Sequence, residues 1–429
     1  MNILFATEYY EPFTPGGTPW SLRLLAGELA RRGERVAIVT PNYGAPARED
    51  VDGIAVFRFP FWRTLRPGSS LAPVRDHVNP LFHLLFARAL VRTARRFGAD
   101  VLHAQEKHAL VGTYLAGRWL RRPVFLSLRD FGLICPITTC LLTHRHVPAG
   151  CGSIKLQRDC AGEFLDRYVE GGPWRRARVR VSLALLYLDA RLKTALVKRV
   201  ASITTVSQSV LDIYARAGRI VEERATVVYN LAPGPPTTSA LTRQATLAGF
   251  GLPDRPLVLY VGKRSPGKGF ADLIEAAREL SARVPEACVV VVGDGRAGDA
   301  AQVGDNVRLL GSRPHADVEA LYTLADVVVH PAVWPEPFSR VPLEAAAFVR
   351  PVIGTRIGGT PEAVEHEVTG LLVERHDPRA LAQAIERLLG DAALRRDLGR
   401  RAAESVKRKF GAERVVPELL AVYRGAKGD

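Results

Sequence analysis

Acidic residues fall short of basic ones in this chain. Its 429 residues hold 59 Lys and Arg against 44 Asp and Glu, a formal charge of +15. The shortfall is uneven: residues 1–230 carry 33 basic and 19 acidic side chains, net +14, and residues 231–429 come to only +1. Such asymmetry points to an anionic partner for the first half. Aromatic residues make up 7% and do not interleave with basic ones, so a base-stacking platform is not expected and nucleic acid is not a partner. There is no apolar run of about 18 residues, which excludes an ordinary transmembrane helix. Met1-Asn2-Ile3-Leu4-Phe5 lacks a basic flank and its apolar run is short, unlike a secretory signal. The expected location is therefore the cytoplasm. Five cysteines in that setting do not form a disulfide framework.

What is present reads as alternating strands and helices. The length suggests two or three domains, each able to bury a core. Residues 2–7 form a short apolar strand, followed by a turn-rich loop with Pro12, Pro15, Gly16 and Gly17, a helical pattern over 20–32 and a strand at 36–40. The glycines let backbone approach a phosphate, although the loop is not G-x-G-x-x-G. Residues 51–78 read as a strand at 54–59 and a loop containing Ser69 and Ser70. Two basic amphipathic stretches follow, 80–97 and 174–199. The first sets Leu81, Leu84, Leu85, Ala89 and Leu90 against Arg88, Arg92, Arg95 and Arg96. Both patterns suit either packing on a core or lying on an anionic membrane surface. Cys135, Cys140, Cys151 and Cys160 fall in one loop region with His144 and His146 between them. Thiolate and imidazole can bind zinc. The gaps of four, ten and eight residues lack a C-x-x-C knuckle, so free thiols in a loop are the leading reading, ahead of zinc or a disulfide. Cys288 reads as core. Residues 233–239 have linker composition. The expected domains are 1–232, rejoined by a C-terminal helix at about 412–429, and 240–411.

The second half opens with an apolar strand at 256–261 and then Gly262-Lys263-Arg264-Ser265-Pro266-Gly267-Lys268-Gly269. A glycine-rich, basic loop between strand and helix is a phosphate cradle by chemistry. It is not a Walker A motif, because the Ser/Thr ending is missing. The most informative stretch is 326–362. A strand ends at His330-Pro331, Glu336-Pro337-Phe338 follows, and a helix is expected to begin near 339–341 with Glu344 one turn inside it. A short strand at 351–354 then leads to Gly358-Gly359-Thr360-Pro361-Glu362. Ionised glutamates accept hydrogen bonds only, so each suits a pair of hydroxyls. Ligands of open α/β sheets sit at the carboxyl ends of such strands.

The segment HPAVWPEPFSRVPLEAAAFVRPVIGTRIGGTPE resembles the signature of the family-4 retaining glycosyltransferases, and the resemblance extends over nearly the whole chain. It implies an α/β GT-B architecture, two Rossmann-like domains with parallel sheets facing a central cleft, and a nucleotide diphosphate sugar as co-substrate. By matching position, Glu336 would contact the donor sugar and Glu344 the ribose. The backbone at Phe338, Ser339, Arg340 and Val341 would hold sugar hydroxyls and phosphate; Ser339 stands where the family has Gly. Lys263 and Lys268 would grip the diphosphate, Lys263 replacing the family's Arg. Gly16 and Gly17 would face the donor. His103 ends a strand as in the family and would sit on the acceptor side, a core histidine being an equal reading. Arg129-Asp130, in an R-D-F-G…C-P form resembling a subgroup, stands where relatives carry a His before the Asp; Arg129 could clamp an oxyanion. The implied catalytic set is Glu336, Lys268, Lys263, Arg129 and Asp130, with no metal and no further cofactor required. The implied acceptor is a glycan or lipid-linked hydroxyl, used in cell-surface glycan or glycolipid assembly. The rival readings are another GT-B activity, such as an epimerase, and a non-catalytic nucleotide-sugar-binding protein at the membrane.

Overall fold

The computed structural model describes residues 1–68, 71–144, 147, 151–234 and 242–425. Ser69, Ser70, His146 and most of the linker expected at 233–239 lie outside these. The chain divides into two compact units, one of residues 1–231 with 412–429, the other of residues 232–411.

The first unit is built on an eight-stranded sheet. Its strands are β1 (Asn2–Ala6), β2 (Arg35–Asn42), β3 (Arg48–Val51), β4 (Ile54–Pro60), β5 (Val101–Ala104), β6 (Val124–Leu128), β7 (Ser202–Thr205) and β8 (Ala225–Val227), in the order β3-β4-β2-β1-β5-β6-β7-β8. All pairings are parallel except that of β3 with β4. The inner strands are short apolar runs buried on both faces, as a helix-covered parallel sheet demands. The helix Pro80–Phe97 starts on a capping Asn79, whose side chain accepts from the Leu81 amide, and ends at Gly98 with φ 69°. It packs Phe82, Phe86 and Leu90 inward and leaves Leu81 and Leu84 exposed. The inward face is thus turned from the Leu81–Leu84–Leu85 stripe read from the sequence, because aromatic rings fill the space over β4. The last helix, Ala412–Gly425, closes this core with Val415, Val416, Leu419, Leu420 and Tyr423.

The second unit has six parallel strands: β9 (Leu257–Val261), β10 (Cys288–Val292), β11 (Val307–Gly311), β12 (Val327–His330), β13 (Val352–Thr355) and β14 (Gly370–Val373). Their order is β11-β10-β9-β12-β13-β14. The helices Phe270–Arg283 and Pro378–Gly390 pack Leu273, Ala277, Leu280, Leu381, Ile385 and Leu388 on this sheet's core. Strand order reverses between β9 and β12, so the crevice at their carboxyl ends is the predicted ligand position of a doubly wound sheet. In the first unit the same reversal falls between β1 and β5. No helix among the described residues is long and apolar enough to cross a membrane.

Candidate active site

Both loops singled out in the second half leave the sheet at the reversal point. β9 runs into residues 262–269, and β12 ends at His330 and runs into 331–340. The loops are locked together through backbone. Gly267 O accepts from the amides of Val333 and Trp334, each at 3.1 Å. Gly269 has φ 70°, and a Cβ there would lie 1.7 Å from Pro331 O, so only glycine permits this approach. The Tyr260 hydroxyl, rooted in β9, donates to Lys263 O at 2.9 Å. The result brings Lys268 Nζ to 2.7 Å from Glu336 Oε2. Burial alone would raise the Glu336 carboxyl, but the Lys268 ammonium and the His330 ring together draw it below the usual carboxylate range. His330 is 4% exposed, and its Nε2 has no hydrogen-bond partner among the described residues. Burial, with the nearby Lys268 charge, pushes this ring down to about 4, so it is neutral at pH 7. Lys263 is exposed at the loop's rim.

A neighbouring loop braces this cradle. Residues 293–298 fit the spacing G-x-G-x-x-G, a signal the sequence reading passed over. Here the glycines serve close packing: Cβ atoms at Gly293 and Gly295 would strike Gly262 O and the Arg264 side chain. The Arg264 backbone amide donates to Asp294 O at 2.7 Å, and its guanidinium lies 3.2 Å from Asp299.

The helix carrying Glu344 spans Val341–Ala347. Glu344 takes a forked contact from Arg340, with Nε at 2.9 Å and Nη2 at 2.8 Å from Oε1, while the Tyr322 hydroxyl donates to Oε2 at 3.1 Å. Ser339 Oγ accepts from the Val341 amide at 3.3 Å, just ahead of the helix. Phe338 is buried with its ring centroid 5.0 Å from that of Phe410. Glycines again set the approach, since Cβ atoms at Gly358 and Gly359 would meet backbone of Glu336 and Pro337 at 2.5 and 2.4 Å. The Gly359 amide donates to Glu336 O at 2.8 Å. Thus Lys263, Lys268, Glu336, Phe338, Ser339, Arg340, Val341 and Glu344 come from two sequence blocks into one unit, with His330, Tyr260 and Tyr322 added by the fold.

The residues named in the first unit fare differently. Gly16 and Gly17 sit exposed where the helix Gly17–Arg31 begins, with no atom within 4 Å of a Cβ at Gly16. His103 is a core histidine and does not present a ring nitrogen to an acceptor: Nδ1 is 2.6 Å from the Tyr423 hydroxyl and Nε2 is 2.9 Å from Ser127 Oγ. Burial, aided by the Arg129 charge, pushes it down to about 3. Arg129 is held by Gln105 Oε1, at 3.2 Å from Nε and 2.8 Å from Nη2, and by Asn230 Oδ1 at 2.7 Å from Nη1. Its fork is therefore occupied within the unit. Asp130 is exposed, accepts from the Gly132 amide at 2.8 Å in a local turn, and lies 3.8 Å from Lys107. One Asp-x-Asp sequence occurs, Asp50-Val51-Asp52, and it forms a hairpin turn. Asp50 accepts from the Gly53 amide, and Asp52 pairs with Arg23 at 2.7 Å. The cysteines are all free thiols; burial raises Cys135 to about 11 and Cys140 to about 12. Among the described residues no group of three or more His, Cys, Asp or Glu is placed to hold a metal ion.

At the first unit's own reversal point lies a cluster the sequence reading missed. Glu106, just past β5, accepts from Thr7 Oγ1 at 2.9 Å and from the Glu8 amide. Glu8 Oε1 is 3.0 Å from His77 Nδ1, and His77 Nε2 is 2.8 Å from the Tyr43 hydroxyl. Burial, with the Glu8 carboxylate close by, raises Glu106 to about 8.

Two doubly wound sheets, each with polar groups at its reversal point, define the GT-B class of α/β protein. The comparisons agree. The family described as "Glycosyl transferase 4-like domain" matches residues 16–230, and that described as "Glycosyl transferases group 1" matches residues 245–405. The chain belongs to this glycosyltransferase family. A putative glycosyltransferase YtcC of Bacillus subtilis is 30% identical over 245 residues, 52% of this chain and 60% of that protein. An uncharacterized glycosyltransferase MJ1607 of Methanocaldococcus jannaschii is 26% identical over 99% of this chain and 98% of its own length. The YtcC match thus spans less than two thirds of that relative. Among solved structures, Anabaena HepE in complex with UDP-glucose superposes with a TM-score of 0.69 at 22% identity, covering 99% of this chain and all of that one.

Proposed function

We propose that the chain is a retaining, metal-independent hexosyltransferase that moves a sugar from a nucleotide diphosphate sugar to an acceptor hydroxyl. The observation that supports it best is the pairing of half-buried Lys268 with the buried Glu336 carboxylate at the β9/β12 reversal. In the reaction the C1–O bond to the diphosphate breaks, and its electron pair stays on the leaving phosphate oxygen. The sugar becomes oxocarbenium-like, the acceptor oxygen bonds to C1 from the same face, and its proton passes to the departing phosphate. The chemical demand is thus stabilisation of a growing negative charge, which Lys268 and Lys263 supply electrostatically. In this reading Glu336 and the neutral His330 bind sugar hydroxyls, and Glu344 binds the ribose. Lys268 leaves Glu336 for the diphosphate when donor binds, which frees the Glu336 carboxylate for hydroxyls.

The acceptor is read as a glycan or lipid-linked hydroxyl of cell-surface assembly, handled at the cytoplasmic side of a membrane. The basic first half favours a phosphorylated or lipid-phosphate acceptor. Gly16, Gly17, Arg129 and Asp130 are retained as residues of the donor and acceptor side. The test is thermal shift of the purified chain against UDP-, GDP-, ADP- and dTDP-sugars, with UDP-glucose first because a fold neighbour was solved with it. Stabilisation by one nucleotide, lost in Glu344→Ala, is the expected result. No shift with any donor would overturn the reading.

A further inference from the structure

The helix Pro173–Val197 is the longest in the chain and uses only part of its surface for packing. Leu183, Tyr187, Ala190, Thr194 and Val197 are buried. The Tyr187 hydroxyl donates to Cys151 O at 3.2 Å and the Thr194 hydroxyl to Leu133 O at 3.3 Å. These contacts fix which way the other face points. That face carries Trp174, Val181, Leu185, Leu188 and Leu192, between 56 and 89% exposed. At 3.6 residues per turn the five fall within an arc of about 60° and run for about 27 Å. Arg178 lies beside the same arc, and Arg175, Arg180 and Arg191 flank it, all four exposed. The helix's one acid, Asp189, is neutralised by Lys193 at 2.8 Å.

We propose that this face docks in the plane of an anionic lipid bilayer. A stripe of leucines with a tryptophan at one end and arginines along its margins has the chemistry of an interfacial helix. The apolar side chains sink below the headgroups, and the guanidinium forks pair with lipid phosphates. A second copy of the chain fits less well. A two-fold interface would lay the same arginines against one another with no acid to offset them. The net +14 of residues 1–230 extends the attraction beyond the helix itself. The inference goes beyond the transfer reading and needs none of its steps: vesicle binding is read without donor or acceptor, so each can fail alone.

The experiment is co-sedimentation of the full chain with vesicles of phosphatidylcholine, pure or mixed with phosphatidylglycerol. Binding to the mixed vesicles is expected. It should weaken about tenfold or more in the double variant Leu185→Glu/Leu188→Glu, whose positions are exposed and whose fold circular dichroism would check. A second variant, Arg178→Glu/Arg191→Glu, should also bind less and lose part of the salt dependence. The proposal is overturned if the leucine variant binds as the parent does, or if pure phosphatidylcholine is bound equally well. It is also overturned if light scattering shows a dimer of the parent that the leucine variant abolishes.

Discussion

At the scale of single residues, the site is a matter of which charges the fold permits. Lys268 reaches a buried carboxylate at 2.7 Å and stands in the loop that would cradle a diphosphate. Lys268→Ala should lower kcat by roughly 100-fold or more if the ammonium stabilises the leaving group. Steady-state rates on the donor found by thermal shift would check this, and near-wild-type turnover would remove Lys268 from the mechanism. Glu106 is the opposite case. Burial and the nearby Glu8 carboxylate raise it from 4.5 to about 8, so the folded chain keeps a proton that the unfolded chain has lost at neutral pH. A raised folded value means stability that is full below about pH 4.5 and is lost as pH rises toward 8. Glu106→Gln keeps an oxygen to accept from Thr7 and Glu8 but never ionises. Its melting temperature relative to the parent should therefore climb steadily from pH 5 to pH 8; a flat difference would mean that Glu106 is already ionised in the fold.

At the scale of elements, glycine backbone decides where the side chains can go. Gly269→Ala would combine a left-handed φ with a Cβ 1.7 Å from Pro331 O. Backbone strain and overpacking together should cost about 2–5 kcal/mol. Chemical denaturation should show the loss with donor-free protein, and a cost under about 1 kcal/mol would show that the two loops are not locked. This loop was legible in the sequence because its glycines and lysines follow an apolar strand within a few residues. The same holds for the Glu336 to Glu344 block, whose functional groups share one loop and one helix turn. Long-range partners were not legible. His103 is held by Tyr423 from 320 residues away, and Glu8 meets Glu106 from 98 away. Nothing local marks either contact, so a strand-end histidine looked as much like a ligand as like core. The partners of Arg129 were equally illegible: its guanidinium is held by Gln105 and by Asn230, the latter 101 residues distant. The short strands β3 and β14 were also missed, β3 because Arg48-Glu49-Asp50 carries no apolar alternation and pairs only at the sheet's edge.

At the scale of the whole molecule, the chain's last segment belongs to its first core. Val415, Val416, Leu419, Leu420 and Tyr423 are buried with Phe5, Leu22, Leu25 and Ile38. Burying each such side chain contributes roughly 1.5–3 kcal/mol, so removing all five forfeits about 7–15 kcal/mol. That matches the entire stability of an ordinary domain, about 5–15 kcal/mol. The second unit, residues 232–411, has its own sheet and its own core. A chain ending at Gly411 should therefore lose the cooperative unfolding of the first unit and keep that of the second. Near-ultraviolet circular dichroism reports the two unequally, since the buried tyrosines Tyr9, Tyr10, Tyr43, Tyr187 and Tyr214 lie in the first unit and Tyr260 and Tyr322 in the second. The truncated chain should show most of its near-ultraviolet change already complete without denaturant, while far-ultraviolet circular dichroism keeps a residual sigmoidal transition. If both probes instead retained the full-length transitions, the C-terminal helix would be a surface addition, and the first unit's core would have to close over β1 and β5 by other means.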